Sequence, residues 1–541
     1  MYSLNAGTGV RHVSMTRSHK LGFLAAALGI FTIAAATCNG ATPPQDTSEP
    51  IWPTKAWQTS SPEEQGMDSK ELADLVDFGT THSFDSLLVT RHGRIVAEAY
   101  YAPYAADVPH TINSCTKSVI GTLVAIAFKD GLLDSTDRRA LDFFDRTAIA
   151  NLDNRKEAIT VQNLLDMTSG LEWEEPFGIA SSVTGMVRSP DWVKFILDRP
   201  MSGTPGETFH YSSGNAHLLS AILTKLTGIS CQEYAKAKLF GPLGIRQVMW
   251  RTDPQGITTG PFGLFLLPRD MAKIGYLYLR DGEWEGKQLL PTAWIDKIAH
   301  ATIDMHGEPG DRYSNLFWAL PDKHVYMAVG FNRQMIMIFP KSDVVAVTTA
   351  QVDDFFSSEF AGLVSRAVKS DTSLPADEVS AKLLANKILD VATEKATEVG
   401  PTSKIAADVS GKVYRFAPNQ VNLKSFSLIL NGPQPHYDIE IYNRETTKSW
   451  SGFTGPIGLD GSYRKGELIY HGFEALYEGA PRVNAVKGTW RDDHTFVIDC
   501  LALGDGRPAE QWTLTFNGDK LDLRVKLAGE PEISIDGETG G

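Results

Sequence analysis

The sequence predicts an α/β (α+β) protein followed by a separate antiparallel β domain. At 541 residues the chain is too long for one compact domain. Strand-like patterns stand on both sides of a long helical stretch, as in a sheet that the chain leaves and rejoins. Beyond Ala407 the texture changes to short segments of alternating apolar and polar residues separated by turn dipeptides.

In chain order, the first fifty residues stand apart. Arg17, His19 and Lys20 precede an uncharged stretch from Leu21 to Thr37, then Cys38-Asn39-Gly40 and a Pro/Thr/Ser linker. A basic start, an apolar run and small residues at its end are the pattern of an export signal, with Met15 as an alternative start. The run is short for a membrane span. Its end has two readings: cleavage after Ala36, or lipid attachment at Cys38, which would tether the protein to a membrane. Either one predicts an exported protein, periplasmic or secreted.

From Met67-Asp68 a capped amphipathic helix carries Leu72, Leu75, Val76 and Phe78. Ser86–Val89, the turn His92-Gly93 and Ile95–Ala97 read as a β-hairpin. The apolar run Val119 to Phe128 reads as a buried helix, with Thr111 or Asn113 as its cap and Gly131 as its end. Helical patterns follow at Thr160–Leu165 and at Ala216–Thr227, the latter stopping at Gly228. Strand patterns return at Met335–Ile338 and Val344–Val347, joined by Pro340–Asp343. A further helix (Val379, Leu383, Ile388, Val391) leads to Gly400-Pro401. The last region alternates at Phe426/Leu428/Leu430, Trp512/Leu514/Phe516 and Leu521/Leu523/Val525, between Asn431-Gly432, Asp460-Gly461 and Asn517-Gly518. It reads as a lipocalin-like barrel or a sandwich. The expected organisation is therefore a signal (1–37), a linker (38–55), a hydrolase domain (56–375), a helical linker (376–406) and the β domain (407–541).

The chemistry concentrates at Ser114-Cys115-Thr116-Lys117. A serine in the first turn of a buried helix lies beside unpaired N–H groups and the positive end of the helix dipole. A lysine three residues on shares its face. Burial makes that ammonium costly, so its pKa falls and the neutral amine can take the serine's proton. This is the S-x-x-K arrangement of acyl-transfer enzymes. Ser462-Tyr463-Arg464-Lys465 fits the same expression, but it falls in a polar turn with no apolar helix to bury the lysine. Tyr211, on the loop Phe209–Asn215 ahead of a helix, can project its hydroxyl into a cleft, where a nearby ammonium would favour the phenolate.

Ser114–Lys117, Tyr211–Asn215, Phe265–Lys273 and the strand pair at 335–347 occur in one order. In that order the chain resembles the class C β-lactamase-related serine hydrolases. That group includes penicillin-binding DD-peptidases, esterases and 6-aminohexanoate-dimer hydrolases, and the resemblance spans residues 55 to 370. It implies a mostly antiparallel sheet flanked by helices, with an all-helical insertion and a cleft between them. It also implies Ser114 as nucleophile, Lys117 as its base partner and Tyr211 as the second acid/base.

Two departures matter. The third place of the Tyr-x-Asn motif is Ser213, with Asn215 two residues further on, and the Lys-Thr-Gly strand motif is absent. Instead Ala328-Val329-Gly330-Phe331-Asn332-Arg333-Gln334 is similar to the Gly-rich version of the esterase and amide-hydrolase branch. Without the lysine that helps bind a β-lactam carboxylate, efficient antibiotic hydrolysis is not expected; Arg333 either replaces that charge or lies on the surface. The backbone N–H groups of Ser114 and Phe331 are the candidate oxyanion hole. Ser213, Asn215 and Trp173 complete the candidate substrate-binding set, and Trp173, Glu174 and Trp192 either line the cleft or pack in the core.

A net charge of −14 and a pI near 5.4 exclude a nucleic-acid partner. There is no G-x-S-x-G elbow, no H-E-x-x-H and no paired C-x-x-C, so neither an α/β-hydrolase nor a metal or other cofactor is expected. Cys115, Cys231 and Cys500 are too scattered for a disulfide framework, and Cys115 reads as a small buried hydrophobe. The expected function is hydrolysis of a small ester or amide through a Ser114 acyl-enzyme. The alternatives are a D-Ala-D-Ala carboxypeptidase, a β-lactamase, or an idle binding protein on a penicillin-binding fold.

Overall fold

A computed structural model describes residues 50–175, 181–305, 311–352, 356–443, 449–467, 483–506, 509–527 and 531–540. The expected export signal and Cys38 lie outside the described residues. No helix among the described residues is long and apolar enough to cross a membrane.

The chain enters through β1 (Gln58–Thr59), α1 (Ser69–Thr81), β2 (Phe84–Arg91) and β3 (Arg94–Tyr100). It then leaves through β4 (His110–Thr111) and α2 (Cys115–Lys129). A helical excursion follows: α3 (Asn154–Ala158), α4 (Val161–Leu165), α5 (Ser182–Arg188), α6 (Trp192–Leu197), α7 (Ser213–Thr227) and α8 (Cys231–Ala235). The return path is β5 (Met249–Trp250), β6 (Leu264–Leu266), α9 (Pro268–Leu279), the hairpin β7 (Glu283–Trp284) and β8 (Lys287–Gln288), and α10 (Thr292–Ala299). Then come β9 (Ile303–Asp304), β10 (Arg312–Ser314), β11 (Phe317–Leu320), β12 (Val325–Gly330), β13 (Gln334–Phe339) and β14 (Val344–Ala350). Three helices follow: α11 (Ser357–Ala367), α12 (Glu378–Ala392) and α13 (Ala406–Val409).

The main sheet has the order β1-β3-β2-β14-β13-β12-β11-β10-β9 and is antiparallel except at β1–β3. The hairpin is thus paired to the last strand, with Leu88 opposite Val347. Period-two alternation distributes the strand side chains between two cores. Ile336, Ile338, Val345 and Val347 pack with α2 and α9. Met335, Met337, Val344 and Ala346 pack with α1 and α11 on the other face. Both faces are covered, which is why these strands read as unbroken apolar runs.

α2 is buried from Cys115 to Ala127, so it is enclosed on every side, and its polar residues Thr116, Lys117, Ser118 and Thr122 are buried with the apolar ones. Neither Thr111 nor Asn113 caps it: Asn113, at φ +46°, gives its amide to the Phe331 carbonyl (2.9 Å) and accepts from Thr111 Oγ1. α7 begins at Ser213, earlier than Ala216, because Ser212 Oγ accepts the Asn215 N–H (3.3 Å) and supplies the cap. α12 packs Leu384 and Ile388 against the second core, while Val379 is 82% exposed.

The C-terminal strands are β15 (Val413–Phe416), β16 (Leu423–Ile429), β17 (His436–Asn443), β18 (Ser449–Pro456), β19 (Arg464–Glu467), β20 (Val483–Trp490), β21 (Thr495–Leu503), β22 (Glu510–Asn517), β23 (Lys520–Leu527) and β24 (Ile533–Thr539). They form one antiparallel sheet ordered β18-β17-β16-β15-β24-β23-β22-β21-β20-β19. The sheet curls until its edges touch, with Gly466 of β19 against Pro456 of β18. Tyr414, Phe426, Tyr437, Trp512 and Phe516 fill its concave side.

Candidate active site

The extended segment Thr111–Asn113 turns at Asn113 and delivers Ser114 to the start of α2. Ser114 is partly open to solvent. One turn on, Lys117 is 1% exposed, and its Nζ donates to Ser114 Oγ (2.9 Å) and to the Pro261 carbonyl (3.3 Å). Burial pushes the Lys117 pKa down to about 8, against the opposing pull of the Glu175 carboxylate 3.9 Å away. Near neutral pH a useful fraction of the amine is therefore unprotonated. Cys115 points elsewhere, its thiol donating to the Gln334 carbonyl (3.1 Å) in the core.

Tyr211 approaches from the loop before α7. Its ring centroid lies 4.7 Å from Lys117 Nζ, and its hydroxyl is hydrogen-bonded to Ser114. A hydroxyl, an amine and a phenol from separate stretches thus meet. The rings of Phe209, Tyr313 and Trp318 surround Tyr211 at 6.5, 6.3 and 6.1 Å. The phenolate that a neighbouring lysine would favour is not what this setting supports. Burial raises the Tyr211 pKa, and the Glu175 charge adds to it, so Tyr211 stays a protonated phenol.

Glu175 is the residue that reading the sequence missed; it pointed instead to the adjacent, exposed Glu174. Glu175 accepts from Trp173 Nε1 (2.6 Å), the Ser213 N–H (2.8 Å) and Ser213 Oγ (2.5 Å). Ser213 thus reaches the cluster through Glu175. Trp173 does not line the cleft: it is 2% exposed, and its indole closes over Gly214 while holding the carboxylate. Asn215 is fully buried behind the cluster, its amide engaged with Ser169 (2.9 Å) and Met167, because it lies within the first turn of α7 rather than on a loop. Trp192 is a core residue, packed on His217 and Phe262. A loop carboxylate shows no periodicity, so no pattern marked Glu175.

On the other side of Ser114, β12 ends at Gly330. A Cβ there would lie 2.4 Å from the Ile112 carbonyl and 3.1 Å from the Ser114 nitrogen, so only glycine lets the strand come this close. Phe331 follows at once, its ring 52% exposed and its carbonyl tied to Asn113. Arg333 is not a surface residue: it is 4% exposed. Among the described residues no group of His, Cys, Asp or Glu is arranged to hold a metal ion.

A family model described as Beta-lactamase matches residues 80–362. A 6-aminohexanoate-dimer hydrolase of Paenarthrobacter ureafaciens is 25% identical over 317 residues, covering 54% of this chain and 79% of that protein. The octameric penicillin-binding protein homologue from Pyrococcus abyssi matches with a TM-score of 0.45 and 17% identity, over 86% of this chain and 99% of that one. A penicillin binding protein from Bacillus halodurans matches with a TM-score of 0.43 and 17% identity, over 55% of this chain and 99% of that one.

Proposed function

The chain belongs to the Beta-lactamase family of serine hydrolases, and from that premise we propose that it cleaves a small ester or amide through an acyl-enzyme on Ser114. The observation that carries this reading is the buried Lys117 amine 2.9 Å from Ser114 Oγ.

In acylation, Ser114 Oγ attacks the substrate carbonyl carbon while its proton passes to neutral Lys117. The carbonyl oxygen becomes an oxyanion held by the N–H groups of Ser114 and Phe331. As the C–O or C–N bond breaks, the Tyr211 phenol protonates the leaving group and regains a proton from the Lys117 ammonium. Water then attacks the ester, its proton passing to the Tyr211–Lys117 pair, and Ser114 departs protonated. A phenol held protonated suits the donor role better than the base role. The absence of Lys-Thr-Gly supports an ester or amide over a β-lactam as substrate. The basic, apolar and small-residue order of the first 37 residues supports action outside the cytoplasm.

Incubation with a fluorophosphonate is expected to give a single stoichiometric adduct mapping to Ser114 by intact-protein and peptide mass. No adduct, or one elsewhere, contradicts the reading. Short-chain esters, linear amides, D-Ala-D-Ala peptides and nitrocefin then identify the leaving group.

The pH profile gives a second test. If neutral Lys117 is the base, kcat/KM for an uncharged ester rises with pH through about 8, where Lys117 loses its proton. Glu175 holds that pKa up, so Glu175→Gln is expected to move the acid limb to lower pH. An acid limb unmoved by the substitution would remove Lys117 from the base role.

A further inference from the structure

The two sheets belong to one packed unit, Pro50–Gly541, and they meet at the entrance to the nucleophile helix. The turn after β21 runs Leu503-Gly504-Asp505-Gly506. The Thr111 N–H donates to the Gly504 carbonyl (2.6 Å). At φ +72°, Gly504 lies so close that a Cβ would stand 2.0 Å from the Pro109 carbonyl. A Cβ on Gly506 would stand 3.1 Å from Thr111 Cγ2 and 3.8 Å from the Asn113 amide. Leu503 and Ala485 bury Val108 beside them. The segment from Val108 to Thr111 is thus packed against the end of β21 and the turn that follows it, which also approaches Asn113.

A buried ion pair deepens the contact. Arg251 and Asp505 have side chains 4% and 1% exposed, and Arg251 NH2 lies 3.2 Å from Asp505 Oδ1. Arg251 follows β5, and its guanidinium stands 4.8 Å from the ring centroid of Phe265 on β6. β6 pairs with β4, Phe265 opposite Thr111, and the Leu264 carbonyl accepts the Ile112 N–H (2.9 Å). The connection from β5 to β6 also carries Pro261, whose carbonyl accepts from Lys117. The small sheet β4-β6-β5 therefore holds the strand that leads through Ile112 and Asn113 into Ser114, the connection between two of its strands contacts Lys117, and Asp505 is bonded to Arg251 beside it from the other domain. From below, His110 Nε2 lies 3.5 Å from Asp85 Oδ2 on β2.

We propose that Asp505 and Arg251 are positioning residues for the acyl-transfer reaction, and that the C-terminal β domain completes the active site by fixing the segment from which Ser114 projects. This rests on the reading of Ser114 as nucleophile. A displacement of Ser114 Oγ relative to Lys117 Nζ would slow acylation without touching the substrate pocket, and misplacements near 1 Å cost on the order of 10²-fold. The effect therefore falls on kcat.

The test uses the full chain with D505N and the double variant R251M/D505N, which removes both charges of the pair. Both are assayed well below their melting temperatures on the best ester of the panel. The expected result is a 10- to 100-fold loss in kcat with KM within about threefold, and a parallel loss in the rate of Ser114 labelling by the fluorophosphonate. K487M serves as a control: it cuts another contact involving the C-terminal sheet, Lys487 Nζ to Thr397 Oγ1 (3.1 Å), and leaves both rates unchanged. Wild-type kcat and labelling in the two interface variants overturn the proposal, as they would if the pair served stability alone. In the wild-type chain, a urea concentration at which β21 and β22 exchange freely while α2 stays protected and Ser114 labels at its native rate also overturns it. S114A separates the two readings: activity retained there sinks the nucleophile assignment, whereas S114A inactive with D505N and R251M/D505N normal sinks only the role of the β domain.

Discussion

Ser114→Ala is expected to lower kcat by on the order of 10⁴-fold or more, leaving the residual rate that binding and an oxyanion hole supply on their own. The serine hydroxyl has no structural duty that would confuse the result. It caps nothing at the start of α2, and its polar partners are Lys117 and Tyr211. The melting temperature should stay at the wild-type value, since a small side chain is trimmed at a partly open position. Cys115 cannot substitute, because its thiol is buried, turned toward Gln334 and held protonated by desolvation. Steady-state kinetics on a p-nitrophenyl ester checks this directly, and a rate near wild type would end the acyl-enzyme account.

Lys117→Met is expected to cost nearly as much, 10³- to 10⁴-fold in kcat, because the side chain keeps its volume while losing the base. It should also separate catalysis from stability. Burial lowers the pKa of Lys117 in the folded protein to about 8, below its ordinary value. The unfolded chain then holds more protons across that interval, so this group penalises the native state fully below pH 8 and less as pH rises beyond it. The methionine variant should therefore equal or exceed wild type in melting temperature at pH 7, with the advantage shrinking above pH 8. Calorimetry across that range checks the sign. A variant both inactive and markedly less stable at pH 7 would mean that Lys117 is kept for structure.

The parts of the site legible in the sequence are those whose geometry is local. Ser114 and Lys117 are one helical turn apart, so their meeting follows from the helix itself once the apolar run Val119–Phe128 is seen. Tyr211 is legible through its place in an ordered set of motifs. The strands at 335–339 and 344–350 announce themselves by composition, and the two-residue period assigns their faces. Glu175 is different: it lies on irregular backbone, and only the fold brings it to Ser213 and Lys117. The place of Asn215 is less legible, because it depends on where α7 begins, and Ser212 starts that helix a turn before Ala216. Asp505 is further out of reach, since a contact between β21 and the segment before Ser114 leaves no trace in local periodicity.

The pairing of β2 with β14 has a temporal consequence. β2 pairs at once with β3, but its second neighbour, β14, lies about 250 residues further on, and contacts so distant in sequence slow folding. Until Val344–Ala350 emerges, Phe84–Arg91 is an exposed apolar edge, and the segment bearing Ser114 has no finished sheet behind it. The sheet behind α2 is therefore incomplete until residues 344–350 have been made and paired with β2, long after Ser114 and Lys117 have been synthesised.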